Sequence, residues 1–195
     1  VARGIGTIRV DGVEFSVSEA PIAVGAQEGK NESAYGPLNQ AFVRPFCFVY
    51  ADESSDAYQD YAAYLISRWQ LIGNGQACAM PLSAVSDALR SSHNLIFLGV
   101  DSAQALGDSP VPIAWDQSRV QVGESGYNQA CLAAVYPGGS ALNATIFCAE
   151  GEEARLYNLP IFHSGFAVPD FMVWGATGVQ SAGFFDADWS GVATP

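Results

Sequence analysis

Short, continuous apolar runs alternate with helical periodicity through the first half of the chain. Between Tyr58 and Ile72 the apolar side chains recur at three-and-four spacing, which predicts an amphipathic helix. Asp56 can cap this helix and Gly73 can end it, and residues 83–90 suit a second, shorter helix. Residues 45–50 form a continuous apolar run of the kind buried on both faces of a parallel sheet. Residues 76–80 and 94–100 suit a second and a third strand. The succession strand, helix, strand, helix, strand predicts right-handed βαβ units.

The second half is richer in strand-like segments. Residues 152–157 suit a short helix with acidic residues in its first turn, where the helix dipole favours them. Five further strands are predicted: residues 111–115, 119–122, 130–136, 145–148 and 171–174. We therefore predict an α/β fold, in which residues 41–195 form one three-layer domain with a mixed, partly parallel sheet. The first half of this sheet is expected to be Rossmann- or flavodoxin-like and the second half more antiparallel. Residues 1–40 are predicted to form a β-hairpin, turning at Asp11–Gly12, and a loop-rich lead-in.

Composition argues against two classes of partner. The 195-residue chain carries a formal net charge of -12, with 8 basic and 20 acidic side chains, so it repels nucleic-acid phosphates and anionic membranes. No apolar stretch approaches the roughly 20 residues of a membrane-spanning helix. Hydrophobic residues make up 49% of the chain and charged residues only 14%, so some neutral and apolar surface must be exposed. We expect neither a nucleic-acid nor a membrane partner, and self-assembly stays open.

Several features indicate a secreted protein. The tripeptides that begin at Asn31 and Asn143 match the N-glycosylation acceptor pattern, which predicts a surface loop at each. The first six residues lack both Met and the layout of a signal peptide, which suggests a processed segment.

The four cysteines contain no C-x-x-C pair, which argues against a zinc knuckle or a thioredoxin-like site. Four cysteines permit three pairings. Cys131 and Cys148 lie in strand-like runs on either side of the loop at Gly138–Gly139, which favours a bridge between them. Cys47 and Cys78 then form the complement. The alternative is a set of free thiols buried in strands.

A serine hydrolase usually carries its nucleophile on a sharp strand-to-helix turn with the pattern G-x-S-x-G. Residues 123–126, around Ser125, approach G-x-S-x-G without matching it and suit a strand-to-strand turn. His93 and His163 are the two available imidazole bases. Ser164, His163 and Asp170 could form a compressed triad, and His93 could replace His163. Neighbouring residues of an extended segment point apart, so we favour loop hydrogen bonds for His163 and Ser164.

Two acidic groups could bind a ligand. Asp186 and Asp188 could hold calcium, but they lack the fuller Asp/Asn/Gly loop, and we favour loop hydrogen bonds for them. Three carboxylates follow the first predicted strand, where α/β sheets hold ligands: Asp52, Glu53 and Asp56. The chain has no G-x-G-x-x-G run or phosphate loop, so we favour a solvated turn and helix cap there. We predict no metal and no cofactor.

A further group of segments resembles one known family. Residues 181–189 (SAGFFDADW) combine a permissive glycine with buried-type aromatic residues, which indicates a docked terminal segment. Others lie upstream in order: residues 36–38 (GPL), 44–46 (RPF), 93–99 (HNLIFLG), 112–116 (PIAWD), 119–123 (RVQVG), 135–137 (VYP) and 168–171 (VPDF). Together they resemble the C-terminal accessory module of secreted prolyl oligopeptidase-like (peptidase S9-like) α/β-hydrolase proteins. The resemblance implies an accessory α/β domain, with the serine nucleophile in a different part of a longer chain.

The leading hypothesis is therefore a non-catalytic accessory domain, or a processed subunit, of a secreted serine-hydrolase-like protein. Its expected partner is the hydrolase domain or chain of the same precursor. One alternative is an independent secreted esterase or peptidase that uses Ser164 with His163 or His93. Another is a carbohydrate or cell-surface binding module that uses exposed tryptophans, although periodic buried positions favour core packing for Trp69 and Trp174.

Overall fold

The computed structural model describes residues 7–10, 13–16, 29–31, 34–53, 56–139, 141–162 and 168–193. The strands are β1 (Thr7–Val10), β2 (Val13–Ser16), β3 (Phe46–Tyr50), β4 (Cys78–Pro81), β5 (Asn94–Leu98), β6 (Ile113–Trp115), β7 (Arg119–Val122), β8 (Ser125–Asn128), β9 (Cys131–Gly138), β10 (Ala141–Cys148), β11 (Phe171–Gly175) and β12 (Gly178–Gly183). The α-helices are α1 (Asp56–Gly73), α2 (Asp87–Ser92) and α3 (Ser102–Leu106). Short 3-10 helices span Leu38–Phe42, Leu82–Ala84 and Glu153–Asn158.

A seven-stranded mixed sheet organises the fold, with the strand order β12-β11-β9-β10-β5-β3-β4. The neighbours β10, β5, β3 and β4 pair in parallel. The remaining strands, β9, β11 and β12, pair antiparallel. The predicted α/β class and mixed sheet are confirmed: the parallel pairs come mainly from the first half of the chain and the antiparallel pairs from the second.

The strand order reverses direction between β3 and β5. The chain leaves β3 through α1 to reach β4 on one side, and then returns through α2 to β5 on the other side of β3. Connections between parallel strands are right-handed in nearly all proteins, so two such crossovers in opposite directions are expected to put α1 and α2 on opposite faces of the sheet. Most of β3 is buried, as its continuous apolar run predicts, and all of β5 is buried as well.

Helix α1 has the predicted bounds and buries one stripe of its surface. Its buried side chains are Tyr58, Tyr61, Ala62 and Leu65, at the spacing of a single helix face. Asp56 is the first residue of the helix, where the helix dipole stabilises its negative charge. No described helix has both the length and the apolar character needed to cross a membrane.

Several elements differ from the sequence prediction. Residues 83–90 do not form one helix: a 3-10 turn ends at Ala84, and α2 starts after Ser86, whose hydroxyl accepts a hydrogen bond from the Leu89 N–H at 3.2 Å. By contrast, the strand-to-strand turn predicted around residues 123–126 is confirmed: residues 123–124 turn between β7 and β8, and Ser125 begins β8 opposite Val122 in a separate antiparallel sheet of β6, β7 and β8. Strand β12 and helix α3 were not predicted. The antiparallel pairing of β1 with β2 agrees with the predicted hairpin, whose turn at residues 11–12 lies outside the described residues.

Two disulfides join neighbouring strands. One bonds Cys47 of β3 to Cys78 of β4, and the other bonds Cys131 of β9 to Cys148 of β10. Each pair faces across its ladder at the same register position. This is the pairing favoured by the sequence, and the described cysteines include no free thiol.

Candidate functional site

A crevice opens beyond the carboxyl ends of the parallel strands. It encloses about 320 Å³ and is lined by residues that follow β3, β5 and β10, among them Glu53, Gly99 and Glu150. Because β3 and β5 flank the reversal of strand order, the crevice lies where open α/β sheets hold ligands. A wider cavity of about 910 Å³ adjoins it and shares Asp101 and Asp116.

The lining of this crevice is strongly acidic. Its carboxylates are Glu53, Asp101, Asp116, Glu150 and Glu153, and no Lys, Arg or His occurs among its described lining residues. Such a wall attracts cations and repels phosphates. The described residues nevertheless contain no group of three or more His, Cys, Asp or Glu side chains placed to hold a metal ion. We therefore assign no ligand to the crevice.

Two polar side chains of the crevice have structural roles. Asp116 Oδ1 accepts hydrogen bonds from the Ser118 N–H at 2.8 Å, the Ser118 hydroxyl at 2.9 Å and the Arg119 N–H at 3.0 Å. These bonds, led by those from Ser118, lower the pKa of Asp116. The Tyr58 hydroxyl accepts from the Cys148 N–H at 2.9 Å and donates to the Cys148 carbonyl at 3.2 Å. Burial raises the pKa of Tyr58, so the phenol stays protonated and joins α1 to the end of β10.

The acidic loop after β3 is a structural connection. Asp52 accepts a hydrogen bond from the Ser83 hydroxyl at 2.5 Å and from the Ser83 N–H at 3.2 Å. These contacts join the end of β3 to the 3-10 helix that follows β4. Asp52, Glu53 and Asp56 are all exposed, in agreement with the solvated turn expected from the sequence.

Asp170, the proposed triad carboxylate, is the centre of a buried ion pair. Its side chain is 0% exposed, and Oδ2 accepts from Lys30 Nζ at 2.5 Å and from the Phe185 N–H at 2.9 Å. Lys30 Nζ also donates to the Phe185 carbonyl at 2.6 Å and lies 4.9 Å from the centroid of the Trp189 ring. We call Lys30, Asp170, Phe185 and Trp189 the latch. It joins two of the segments that carry the family resemblance, VPDF and AGFFDADW.

Gly36 closes the other side of the latch. Its backbone has φ +72°, and a Cβ atom there would collide with the Asp170 carboxylate. Gln40 Oε1 holds this turn by accepting from the N–H groups of Tyr35 and Gly36, each at 2.9 Å. Asp170 therefore contacts three parts of the chain: Lys30, the turn at Gly36 and the Phe185 backbone. The other triad members, His163 and Ser164, lie outside the described residues.

His93, the alternative base, ends α2 and leads into β5 as expected. Its Nδ1 atom lies 2.9 Å from the hydroxyl of its neighbour Ser92. That hydroxyl donates its single hydrogen to the Ala88 carbonyl at 2.6 Å, so it cannot at the same time donate to His93 Nδ1. Among the described contacts no carboxylate orients His93, so the Ser92–His93 contact lacks the third member of a triad.

Asp186 and Asp188 belong to the docked terminal segment. Asp188 Oδ1 accepts from the Ser190 hydroxyl at 2.7 Å and from the Ser190 N–H at 3.0 Å. These bonds lower the pKa of Asp188 to about 2. The loop hydrogen bonding predicted for Asp188 is therefore observed, while Phe185 and Trp189 are buried beside it.

The tryptophans provide no exposed platform, which removes the feature on which the carbohydrate-binding alternative depended. Trp115, Trp174 and Trp189 are buried, and Trp69 packs edge-on against Phe46 with the ring centroids 5.1 Å apart. The indole N–H groups of Trp115 and Trp174 donate to backbone carbonyls at 2.9 Å and 3.0 Å.

The two glycosylation acceptor asparagines have different surroundings. Asn31 is exposed. The prediction of a surface loop at Asn143 is wrong, because this residue lies within β10 and its Oδ1 accepts from the Leu95 N–H at 3.1 Å. Glycosylation at either asparagine stays a prediction.

Comparison with known proteins adds no assignment: no protein-family model and no curated protein matches this chain. The most important residue missed by sequence reasoning is Lys30. Its signal was available, since it is the only lysine in the chain. The turn-forming role of Gln40 had no comparable signal.

Proposed function

We propose that this chain is a non-catalytic accessory domain of a secreted protein that also carries a serine-hydrolase-like domain. The proposal is motivated by the resemblance to the accessory module of peptidase S9-like proteins. The observation that carries it is the latch: Asp170, the carboxylate available for a triad with Ser164, is already engaged by Lys30 and the Phe185 backbone. The most distinctive motif residues thus hold the fold together.

The exposed edge of the large sheet carries no charge, which supports a partner-binding surface there. Residues 171–185 contain no Asp, Glu, Lys or Arg, although the chain carries 20 acidic side chains. This stretch includes β12, the edge strand of the large sheet, in which Val179 is 61% exposed; Phe184, which directly follows β12, is 53% exposed. Uncharged edge strands readily pair with other chains, so proteins usually protect them. We propose that the hydrolase domain covers this edge.

Two disulfides also support the secreted setting, because disulfides persist in oxidising compartments. The subunit or domain is expected to leave the cell with its hydrolase partner.

A fluorophosphonate probe tests the absence of a nucleophile. The native protein is purified under non-denaturing conditions, labelled with the probe and digested, and the labelled peptides are identified by mass spectrometry. We expect a labelled serine in an associated hydrolase domain or chain and none within these 195 residues. A label on Ser164, or on any other serine of this chain, would establish the esterase alternative.

The sheet edge is tested separately by Val179→Lys, which adds a charge to the exposed edge without entering the core. We expect this variant to fold and to lose association with the hydrolase domain or chain. Leu71→Lys is the matched control, since Leu71 is 79% exposed on α1 and far along the chain from β12. Equal association of both variants would exclude this edge as the interface.

A further inference from the structure

A second cavity lies beside the latch and shares no lining residue with the acidic crevice. It encloses about 590 Å³, within the usual range of small-molecule sites. Its walls come from four parts of the chain: Gly29 and Asn31, the loop after α3 with Asp108 and Ser109, the end of β9, and Asp188 with Trp189.

Two lining residues carry buried polar atoms without partners. Trp189 is 1% exposed, and its indole N–H has no acceptor. The Ser109 hydroxyl is also buried and unpaired. Buried polar groups of native proteins are paired in more than about 90% of cases. The buried Trp115 and Trp174 follow this rule through carbonyl acceptors, which makes Trp189 the exception among them.

The polar groups around this cavity define the chemistry of an occupant. Trp189 offers only a donor, so an ammonium group, which has no acceptor, cannot satisfy it. Asp108 and Asp188 offer carboxylate acceptors, and Asp188 stays ionised because its pKa is low. An anion is repelled by these carboxylates and by the net charge of -12. A hydroxyl group donates and accepts, and therefore matches both kinds of partner.

We propose that this cavity binds a saccharide. Sugar hydroxyls donate to the carboxylates of Asp108 and Asp188 and accept from the Trp189 indole, while Ser109 serves in either role. The apolar walls at Leu106, Pro110 and Pro137 suit the C–H faces of a sugar ring. Two sources can supply the saccharide: a free sugar, or the chain's own N-linked glycan, since Asn31 itself lines the cavity.

The Trp189 indole N–H resonance provides a direct test. Isotope-labelled protein made in bacteria, which attaches no such glycan, is titrated with glucose, galactose, mannose, N-acetylglucosamine and chitobiose. We expect at least one sugar to shift the Trp189 indole resonance saturably, while the resonances of Trp115 and Trp174 stay in place. Assignment uses Trp189→Phe or, if that variant does not fold, individual replacement of the other three tryptophans.

Variants test the contacts. Ser109→Ala should weaken the affinity about 2- to 10-fold, and Asp108→Asn about 10-fold or more, because a hydrogen bond to a charged group is worth more. Ser67→Ala is the control, since the Ser67 hydroxyl donates to the Ala63 carbonyl on the exposed face of α1. Equal affinity in Ser109→Ala, Asp108→Asn and Ser67→Ala would overturn the assignment of the site.

The second source is tested with protein secreted from eukaryotic cells. If the chain's own glycan occupies the cavity, the Trp189 resonance is shifted without added sugar, and Ser33→Ala, which removes the acceptor tripeptide but keeps Asn31, abolishes the shift. If the occupant is a free sugar, glycosylated and unglycosylated proteins respond alike to titration. An unshifted Trp189 resonance in both preparations, at sugar concentrations of about 50 mM, would show a water-filled cavity and overturn the proposal.

Discussion

Replacing Lys30 by Met should strongly destabilise the protein. The variant keeps the length and apolar stem of the side chain but removes the cation that pairs with the fully buried Asp170 carboxylate. Removing one partner of a buried ion pair costs about 3–5 kcal/mol, because the remaining charge is left without compensation. The Lys30 side chain is 18% exposed, and the Phe185 N–H still faces Asp170 Oδ2. We therefore expect a loss near the lower limit, about 3 kcal/mol of unfolding free energy.

A double-mutant cycle isolates the ion pair from the other effects of each substitution. Asp170→Asn removes the charge but keeps an oxygen that can accept from the Phe185 N–H. The double variant no longer buries an unpaired charge. We expect it to be more stable than the sum of the single effects predicts, by about 1–3 kcal/mol.

Urea unfolding at neutral pH, with both disulfides intact, measures these free energies. Arg90→Met is the matched control, because Arg90 is exposed in the last turn of α2 and should cost less than about 1 kcal/mol. Equal destabilisation by Lys30→Met and Arg90→Met would refute the reasoning. Additive effects in the double variant would show that Lys30 and Asp170 act independently.

Chemical reactivity gives a second measurement of the same contact. Lys30 is the only lysine of the chain, so an amine-acylating reagent has one side-chain target besides the N-terminal amine. Peptide mass spectrometry separates the two sites. We expect slow acylation of Lys30 in the native protein, because its ammonium group is hydrogen-bonded, and faster acylation in Asp170→Asn.

Three further predictions follow from local geometry. Gly36→Ala should cost about 2–5 kcal/mol through backbone strain and collision with the Asp170 carboxylate, whereas Gly139→Ala, with φ +73° and open space around its Cβ, should cost only the strain of about 1–2 kcal/mol; equal urea-unfolding losses would exclude the collision. Because hydrogen bonds lower the folded pKa of Asp188 from 3.8 to about 2, its ionised form contributes stability above about pH 4 that is lost as the pH falls towards 2. The urea midpoint of Asp188→Asn should therefore vary less over that range, and an unchanged acid profile would contradict this. Mild dithiothreitol should reduce the β3–β4 disulfide before the β9–β10 disulfide, since only the former has a partly exposed sulfur-bearing residue; alkylation and mass spectrometry would show the reverse order if access does not decide.

The parts of the fold predicted from the sequence are those specified by local pattern. Helix α1 has a complete amphipathic stripe, and β3 and β5 are continuous apolar runs, so each element carries its own signal. Strand β12 carries none: it begins and ends with glycine and is largely exposed, so its residues do not alternate between apolar and polar. It forms because β11 supplies a hydrogen-bonding partner. Sequence periodicity cannot reveal such a strand.

The latch could be predicted only in part. The aromatic residues of the terminal segment indicated docking, and the burial of Phe185 and Trp189 agrees with it. The docking partner did not follow, because Lys30 and Asp170 are 140 residues apart and no local rule relates them. The same limitation applies to the second cavity, whose walls come from four separate segments.

The latch also bears on where the domain begins. A boundary at residue 40 passes through the 3-10 helix Leu38–Phe42, in which Leu38 is fully buried. Lys30 lies further upstream, yet it supplies the cation that compensates Asp170, and its N–H donates to the Ala187 carbonyl at 2.7 Å. A chain that began at residue 41 would bury Asp170 without this cation and would lack the wall that Gly29 and Asn31 give to the second cavity. The described residues from Gly29 onward therefore belong energetically to the same unit as the sheet.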